Sequence, residues 1–239
     1  MIPRLIHQTA RGPLSWEERR LAARLRRMLP GWRYKLWSDA DNARLMREQF
    51  PAYADRFDKM PRGVMRADVA RYAYMHAEGG WYFDTDYKLL RPIGAELMAA
   101  ACVIPLEYAP DDVRPEGGRA DGPGLGNAVL GSQAGHPFWG DLIAHIFDER
   151  LADPELDEHG VVAATGPHAL TRFYLRDPSR YPDVVTPARN LFFPGMSLMA
   201  MRTTADAHTY GVHLCWGSWR GRPLHVAART LARRKLNAL

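Results

Sequence analysis

Cysteine and lysine are the scarce residues of this 239-residue chain. The two cysteines, Cys102 and Cys215, stand far apart in apolar, strand-like contexts. They read as buried free thiols and not as a disulfide, which suits a reducing cytoplasm. Lysine occurs only at 35, 59, 88 and 235, so arginine supplies nearly all of the net charge of +5 and the isoelectric point near 9.4. A GC-rich genome would account for this, and so would attraction to phosphate-bearing or membrane-surface partners. No aromatic-interleaved basic motif is present, so nucleic acid is not expected as a partner. No run of eighteen apolar residues occurs, which excludes a membrane-crossing helix. The opening Met-Ile-Pro-Arg-Leu-Ile-His lacks the basic and apolar regions of a signal peptide. A cytoplasmic location is expected, at most peripheral to the inner face of the membrane. What is plentiful is apolar side chain, at 46%, enough for one compact domain over 1–239.

Strand-like and helix-like segments alternate along the chain. Arg4 to His7 reads as a short buried strand. Ser15-Trp-Glu-Glu18 is a capping box opening a basic helix to about Leu29, stopped by Pro30-Gly31. Tyr34 to Trp37 is a strand, and Ser38-Asp39 cap a helix to about Gln49. Arg62 to Glu78 is a helix with Gly79 as its stop. Trp81 to Asp84, Tyr87 to Leu90, Ala101 to Pro105 and Asn127 to Leu130 read as strands, as do Leu191 to Phe193 and Val212 to Cys215. Pro137 to Arg150 and Gly166 to Arg176 are helical. Leu224 to Leu236 is a basic amphipathic helix. The segment Glu107 to Gly126 is rich in Gly, Pro and Asp without periodicity, and a loop of that length is functional or disordered. The alternation implies an α/β layer fold with a mostly parallel central sheet flanked by helices, with ligands beyond the carboxyl ends of the strands.

Residues 62 to 86 concentrate the chemistry. A helical stretch carries Asp68 and Arg71 three apart, ends at Gly79-Gly80, and leads through Trp-Tyr82-Phe into Asp84-Thr85-Asp86. On an extended strand, residues i and i+2 point to one side, so the two carboxylates are expected to project together. They repel unless a cation sits between them, and a hard divalent ion is the natural answer. The bland alternative is a turn that carries two acids. Asp68 and Arg71 would otherwise be a surface i,i+3 pair, but Val64 and Met75 share their face and Met65, Val69 and Tyr72 adjoin it. Gly79 and Gly80 read as helix-stop and close-packing residues.

This block resembles the sugar-nucleotide signature of glycosyltransferase family 32, which includes yeast-type α-mannosyltransferases and bacterial capsule and surface-glycan enzymes. It is also similar to the catalytic domain of the large clostridial glucosylating toxins. The likeness opens at Ile2-Pro-Arg-Leu-Ile-His7-Gln8-Thr9. It continues through Trp37-Ser38-Asp39, the 62–86 block, Thr165-Gly166-Pro167 and His213-Leu-Cys-Trp216-Gly-Ser218-Trp219, in the family's order. One departure is Ala10, where the family usually has Trp beside the nucleotide. The resemblance implies a GT-A nucleotide-sugar fold and a hexosyltransferase that retains anomeric configuration. Its donor would be a UDP- or GDP-sugar, its metal Mn2+ or Mg2+, and its acceptor a glycan or a lipid-linked molecule.

The resemblance also implies roles. Asp86 is the direct metal ligand, and Asp84 contacts the ribose, the sugar or the metal through water. His213 is a third ligand or a diphosphate contact, although a lone His on an apolar strand is usually a core residue. Asp68 and Arg71 hold the transferred sugar. Asn127 faces sugar and acceptor, and Tyr82 lines the donor site by stacking or packing. Ser218 and Trp219 close over the donor phosphate, or Trp219 is core. His7, Gln8, Thr9 and Trp37 form a nucleotide-base pocket or are structural. The 107–126 loop is expected to choose the acceptor. The 224–236 helix is a solvated face or lies on anionic lipid. Loss of one charge in Asp86→Asn is expected to leave stability without metal level or raised. Two other classes fit paired aspartates: a metal-dependent phosphodiester or pyrophosphate hydrolase, and a nucleotide-sugar-binding module that does not transfer.

Overall fold

A computed structural model describes residues 1–109, 122–149, 157–194 and 205–217. The chain opens with β1 (Leu5–Thr9), α1 (Trp16–Met28), β2 (Arg33–Trp37) and α2 (Asp39–Gln49). Both helices begin in reciprocal capping boxes, Ser15 with Glu18 and Ser38 with Asp41. A 3-10 turn at Pro51–Tyr53 leads to α3 (Ala54–Asp58) and then α4 (Gly63–Ala77). Next come β3 (Gly80–Phe83), β4 (Tyr87–Leu89), α5 (Ala95–Ala99), β5 (Cys102–Val103) and β6 (Leu106–Tyr108). Then follow β7 (Gly124–Leu125), β8 (Val129–Ser132), α6 (Pro137–Asp148), α7 (Glu158–Ala164) and α8 (Pro167–Arg176). The described elements close with β9 (Val184–Val185), α9 (Arg189–Phe192) and β10 (Gly211–His213).

Six strands form the central sheet in the order β2-β1-β3-β8-β5-β9. β1 is parallel to both β2 and β3, β8 runs antiparallel to β3 and β5, and β9 is parallel to β5. The carboxyl ends of β1, β2 and β3 therefore share one edge, with Thr9 opposite Trp37. β3 is buried on both sides, and its side chains alternate between them. Tyr82 joins the larger core with α4 and α6, while Trp81 and Phe83 join a second core with Ile6, Leu25 and Phe192. α4 is almost wholly enclosed, which its apolar surround requires. Its end needs glycine: Gly79 has φ +61°, and a Cβ there would lie 2.5 Å from the Ala134 backbone nitrogen. Among the described residues no helix is long and apolar enough to cross a membrane.

The structure corrects several expectations. Leu191 to Phe193 is not a strand: Arg189–Phe192 is a helical turn, with the Phe193 amide donating to the Arg189 carbonyl at 2.7 Å. So short an apolar run carries less than one period of either kind, and burial of Phe192 decides it. β1 extends to Thr9, so Gln8 and Thr9 belong to the strand and do not follow it. The 107–126 segment is not aperiodic throughout, because its ends pair as the β6–β7 ladder with Leu106 opposite Leu125. Cys102 is buried, whereas Cys215 is only half-buried at φ +48°; both are free thiols. Residues 110–121, Ser218, Trp219 and the 224–236 helix lie outside the described residues.

Candidate active site

The Asp84-Thr85-Asp86 segment is a turn and not a continuation of β3. Asp84 N donates to the Ala128 carbonyl at 2.9 Å, and Tyr87 N closes the turn on the Asp84 carbonyl at 3.0 Å. The carboxylates converge because the chain bends, which replaces the same-side strand argument. β10 lies antiparallel to β4 with His213 opposite Tyr87. That pairing sets His213 Nε2 3.2 Å from Asp86 Oδ1 and 3.6 Å from Asp84 Oδ2. One donor atom from each of the three residues lies within 4.8 Å of the others. Asp86 Oδ2 also accepts from Trp216 N at 2.7 Å. Burial alone would raise Asp86, but the adjoining imidazole and that amide outweigh it and hold the carboxyl below its usual range. Burial alone would lower His213; Cys215 and Asp86 outweigh it and hold the imidazole well above its usual value. Two carboxylate oxygens and one imidazole nitrogen converging on one point fit a divalent cation.

A second group begins where the first ends. Arg71 Nη1 lies 3.1 Å from Asp84 Oδ1 and donates to the Asn127 carbonyl at 2.8 Å, while Nη2 lies 3.2 Å from Asp68 Oδ1. The guanidinium sits 4.7 Å over the Tyr82 ring, and Tyr82 Oη donates to Asp84 Oδ1 at 2.6 Å. Asp68 accepts from Asn127 Nδ2 and from Thr165 Oγ1, both at 3.0 Å. Burial pushes the Asp68 carboxyl up to about 6 despite Arg71 and these hydrogen bonds. The fold thus joins Asp68, Arg71, Tyr82, Asp84 and Asn127 in one buried network. Thr165 and Tyr72 belong to it too, since Tyr72 Oη donates to the Thr165 carbonyl at 2.9 Å and accepts from Asn127 Nδ2 at 3.2 Å. Neither was among the expected site residues; the Thr165-Gly166-Pro167 block and the position of Tyr72 beside Arg71 were the available signals.

The four residues expected around the base divide. His7 and Gln8 are enclosed. Both ring nitrogens of His7 are engaged: Nε2 with the Gly79 carbonyl at 2.8 Å, and Nδ1 accepting from Trp37 Nε1 at 2.9 Å. Trp37 stacks on Tyr74 at 4.5 Å. Gln8 Nε2 donates to the Asp84 carbonyl at 3.1 Å, so Gln8 braces the turn from below. Thr9, at the strand end, accepts from Asn42 Nδ2 at 3.1 Å. Burial pushes His7 down to about 4. A histidine depressed in the fold contributes stability above its unfolded value near 6.5, lost as pH falls towards 4. Acidification over that interval is expected to cost about 3 kcal/mol from this group alone. Urea unfolding of His7→Gln should show a visibly flatter pH profile there, and an unchanged slope would refute the assignment.

α1 holds the other side of the turn. Glu18 Oε1 accepts from Thr85 Oγ1 at 2.9 Å, while Oε2 accepts from Ser15 N at 2.7 Å. One carboxylate thus closes a capping box and pins the residue between the two aspartates. Glu18→Ala is expected to cost about 1 kcal/mol of stability and to raise the divalent-metal concentration needed for half-maximal nucleotide binding. A binding titration unmoved in metal dependence would leave Glu18 a cap only.

Residues 15–104 match the family described as "Glycosyltransferase sugar-binding region containing DXD motif". The chain is 28% identical to inositol phosphoceramide mannosyltransferase 2 of Schizosaccharomyces pombe over 174 residues, 72% of this chain and 46% of that protein. It is 25% identical to the initiation-specific alpha-1,6-mannosyltransferase of the same yeast, across 92% of this chain and 64% of that protein. The chain therefore spans less than two thirds of the length of either relative. Among solved structures, the PaToxG glycosyltransferase superposes with a TM-score of 0.56 at 14% identity, covering 76% of this chain and 72% of that one, a likeness of fold.

Proposed function

We propose that the protein is a metal-dependent, retaining hexosyltransferase that takes a UDP- or GDP-sugar as donor and a glycan or lipid-linked molecule as acceptor. The observation that carries this reading is the convergence of Asp84, Asp86 and His213 one ion pair away from the Asp68–Arg71–Asn127 network. A divalent cation held by the three residues would neutralise the diphosphate as negative charge grows on the leaving oxygen. The imidazole favours manganese over magnesium as that cation. Asp68 and Asn127, fixed by Arg71 and Thr165, take hydroxyls of the transferred sugar beside Asp84. Arg71 acts by holding both carboxylates in place from beneath.

Each of these carboxylates is already engaged: Asp68 by Arg71, Asn127 and Thr165, Asp84 by Arg71 and Tyr82, Asp86 by Trp216 N and His213. Same-face displacement, with the departing phosphate accepting the acceptor's proton, needs no further nucleophile. The names of the relatives, mannosyltransferases acting on inositol phosphoceramide among them, support a hexose donor and a lipid-linked acceptor. The free thiols of Cys102 and Cys215 support a cytoplasmic setting.

The test is nucleoside-diphosphate release from UDP-glucose, UDP-galactose and GDP-mannose with manganese, with and without a glycan or phosphoinositol-lipid acceptor. One donor should turn over faster with acceptor, give an α-linked product from an α-linked donor, and stop in chelator. Cleavage between the phosphates would make the protein a hydrolase; binding with no turnover on any acceptor would make it a binding module.

A further inference from the structure

Helix α1 presents its outer side without an acid. Trp16, Arg19, Arg20, Ala23, Arg26 and Arg27 fall within about one third of the helix circumference at 3.6 residues per turn, and every one of them is exposed. Trp16 keeps 50% of its surface in water, with the Arg20 guanidinium 4.9 Å from its ring. The opposite side, Leu21, Ala22 and Leu25, is buried. Arg19 Nη1 donates to the Leu14 carbonyl at 2.8 Å and the Arg26 guanidinium lies 5.5 Å from the Tyr34 ring, contacts that leave both side chains exposed. Glu17 is half-buried at the flank of the ridge, Glu18 is bonded to Ser15 and Thr85, and Arg24 donates to the Leu89 carbonyl at 2.6 Å. The core thus fixes α1 rigidly and turns four arginines and an indole outward, along a ridge about 20 Å long.

We infer that this ridge docks the protein on an anionic lipid surface. Phospholipid headgroups supply the negative charge that four arginines complement, and a half-exposed tryptophan suits the boundary between headgroup and acyl chain, where indole rings settle. Glu18, bonded to Thr85, falls on the buried side of α1 about 140° round the helix from the centre of this ridge, so the ridge faces away from the Asp84–Asp86 turn. This docking is a binding property and stands or falls independently of sugar transfer.

The experiment is co-sedimentation of the full chain with phosphatidylcholine vesicles, with and without phosphatidylglycerol. The protein should pellet only with the anionic vesicles and be released by high salt. The triple variant Arg19→Gln/Arg26→Gln/Arg27→Gln should lose about tenfold or more in partitioning while melting close to the wild type, because all three side chains are exposed and only the Leu14 carbonyl and the Tyr34 ring contact them. Arg27→Gln alone should shift partitioning in the same direction by less. The triple variant Arg229→Gln/Arg233→Gln/Arg234→Gln, in the C-terminal segment, should still bind. The inference is overturned if the wild type stays in the supernatant, if the α1 variants pellet undiminished, if binding is lost only with the C-terminal variant, or if a short DNA duplex displaces the vesicles.

Discussion

Asp86→Asn is expected to lower sugar transfer by about 100- to 1,000-fold or more and to abolish the dependence of nucleotide binding on added manganese. The carboxylate faces His213 at 3.2 Å and is one of three groups able to hold a cation. Its replacement halves the negative charge offered by the turn while the backbone, set by Ala128 and Gln8, stays in place. The structure also reverses the expectation about stability. Repulsion between Asp84 and Asp86 is already offset by His213 and the Trp216 amide, and the Asp86 carboxyl is held below its usual range. A carboxylate depressed in the fold contributes stability above its unfolded pKa, lost as pH falls through the lower folded value. The variant without metal should therefore be less stable at neutral pH by about 1–2 kcal/mol, and the deficit should shrink in acid. Calorimetric binding of nucleoside diphosphate that still responds to manganese in the variant would remove the turn from the metal site.

Arg71→Ala carries the second large effect, and it divides between fold and function. Arg71 is buried and answers two carboxylates, Asp68 and Asp84. Its removal leaves the buried Asp68 without a cation and Asp84 with His213 alone at 3.6 Å, a loss of about 3–5 kcal/mol. Lysine cannot repair this, because a single ammonium lacks the planar fork that reaches Asp68, Asp84 and the Asn127 carbonyl together. The double variant Asp68→Asn/Arg71→Ala should recover part of the lost stability, since it has one buried charge fewer to leave unpaired. Under conditions where Arg71→Ala remains folded, transfer should fall by about 100-fold or more while nucleoside diphosphate binding with manganese changes far less. Urea midpoints equal to wild type, or binding lost in step with turnover, would each contradict this account.

Much of the site was legible because it is local. The helix carrying Asp68 and Arg71, the glycine pair and the aromatic strand lie within 25 consecutive positions. Apolar neighbours around a charged pair already marked a buried network. The capping residues Ser15 and Ser38 announced α1 and α2, and helix starts depend on side-chain hydrogen bonds spanning three residues. The reading of His7 and Trp37 shows the limit. A polar strand end looks the same in sequence whether it meets a nucleotide or, as here, a backbone carbonyl and an indole nitrogen.

The sequence by itself determined the alternation of strands and helices, the Asp-X-Asp pair after an aromatic strand and the charged pair on α4, since each depends on residues within a turn or two of one another. Tertiary structure decided how they combine. His213 meets Asp86 across 127 positions only because β10 pairs antiparallel with β4. Asn127 and Thr165 reach Asp68 because β8 and the end of α7 pack against α4. Phe192 forms a helical turn because a second core accepts its ring. Contacts of that separation are set by burying shared apolar surface and satisfying polar groups in the whole fold, and no local pattern encodes them.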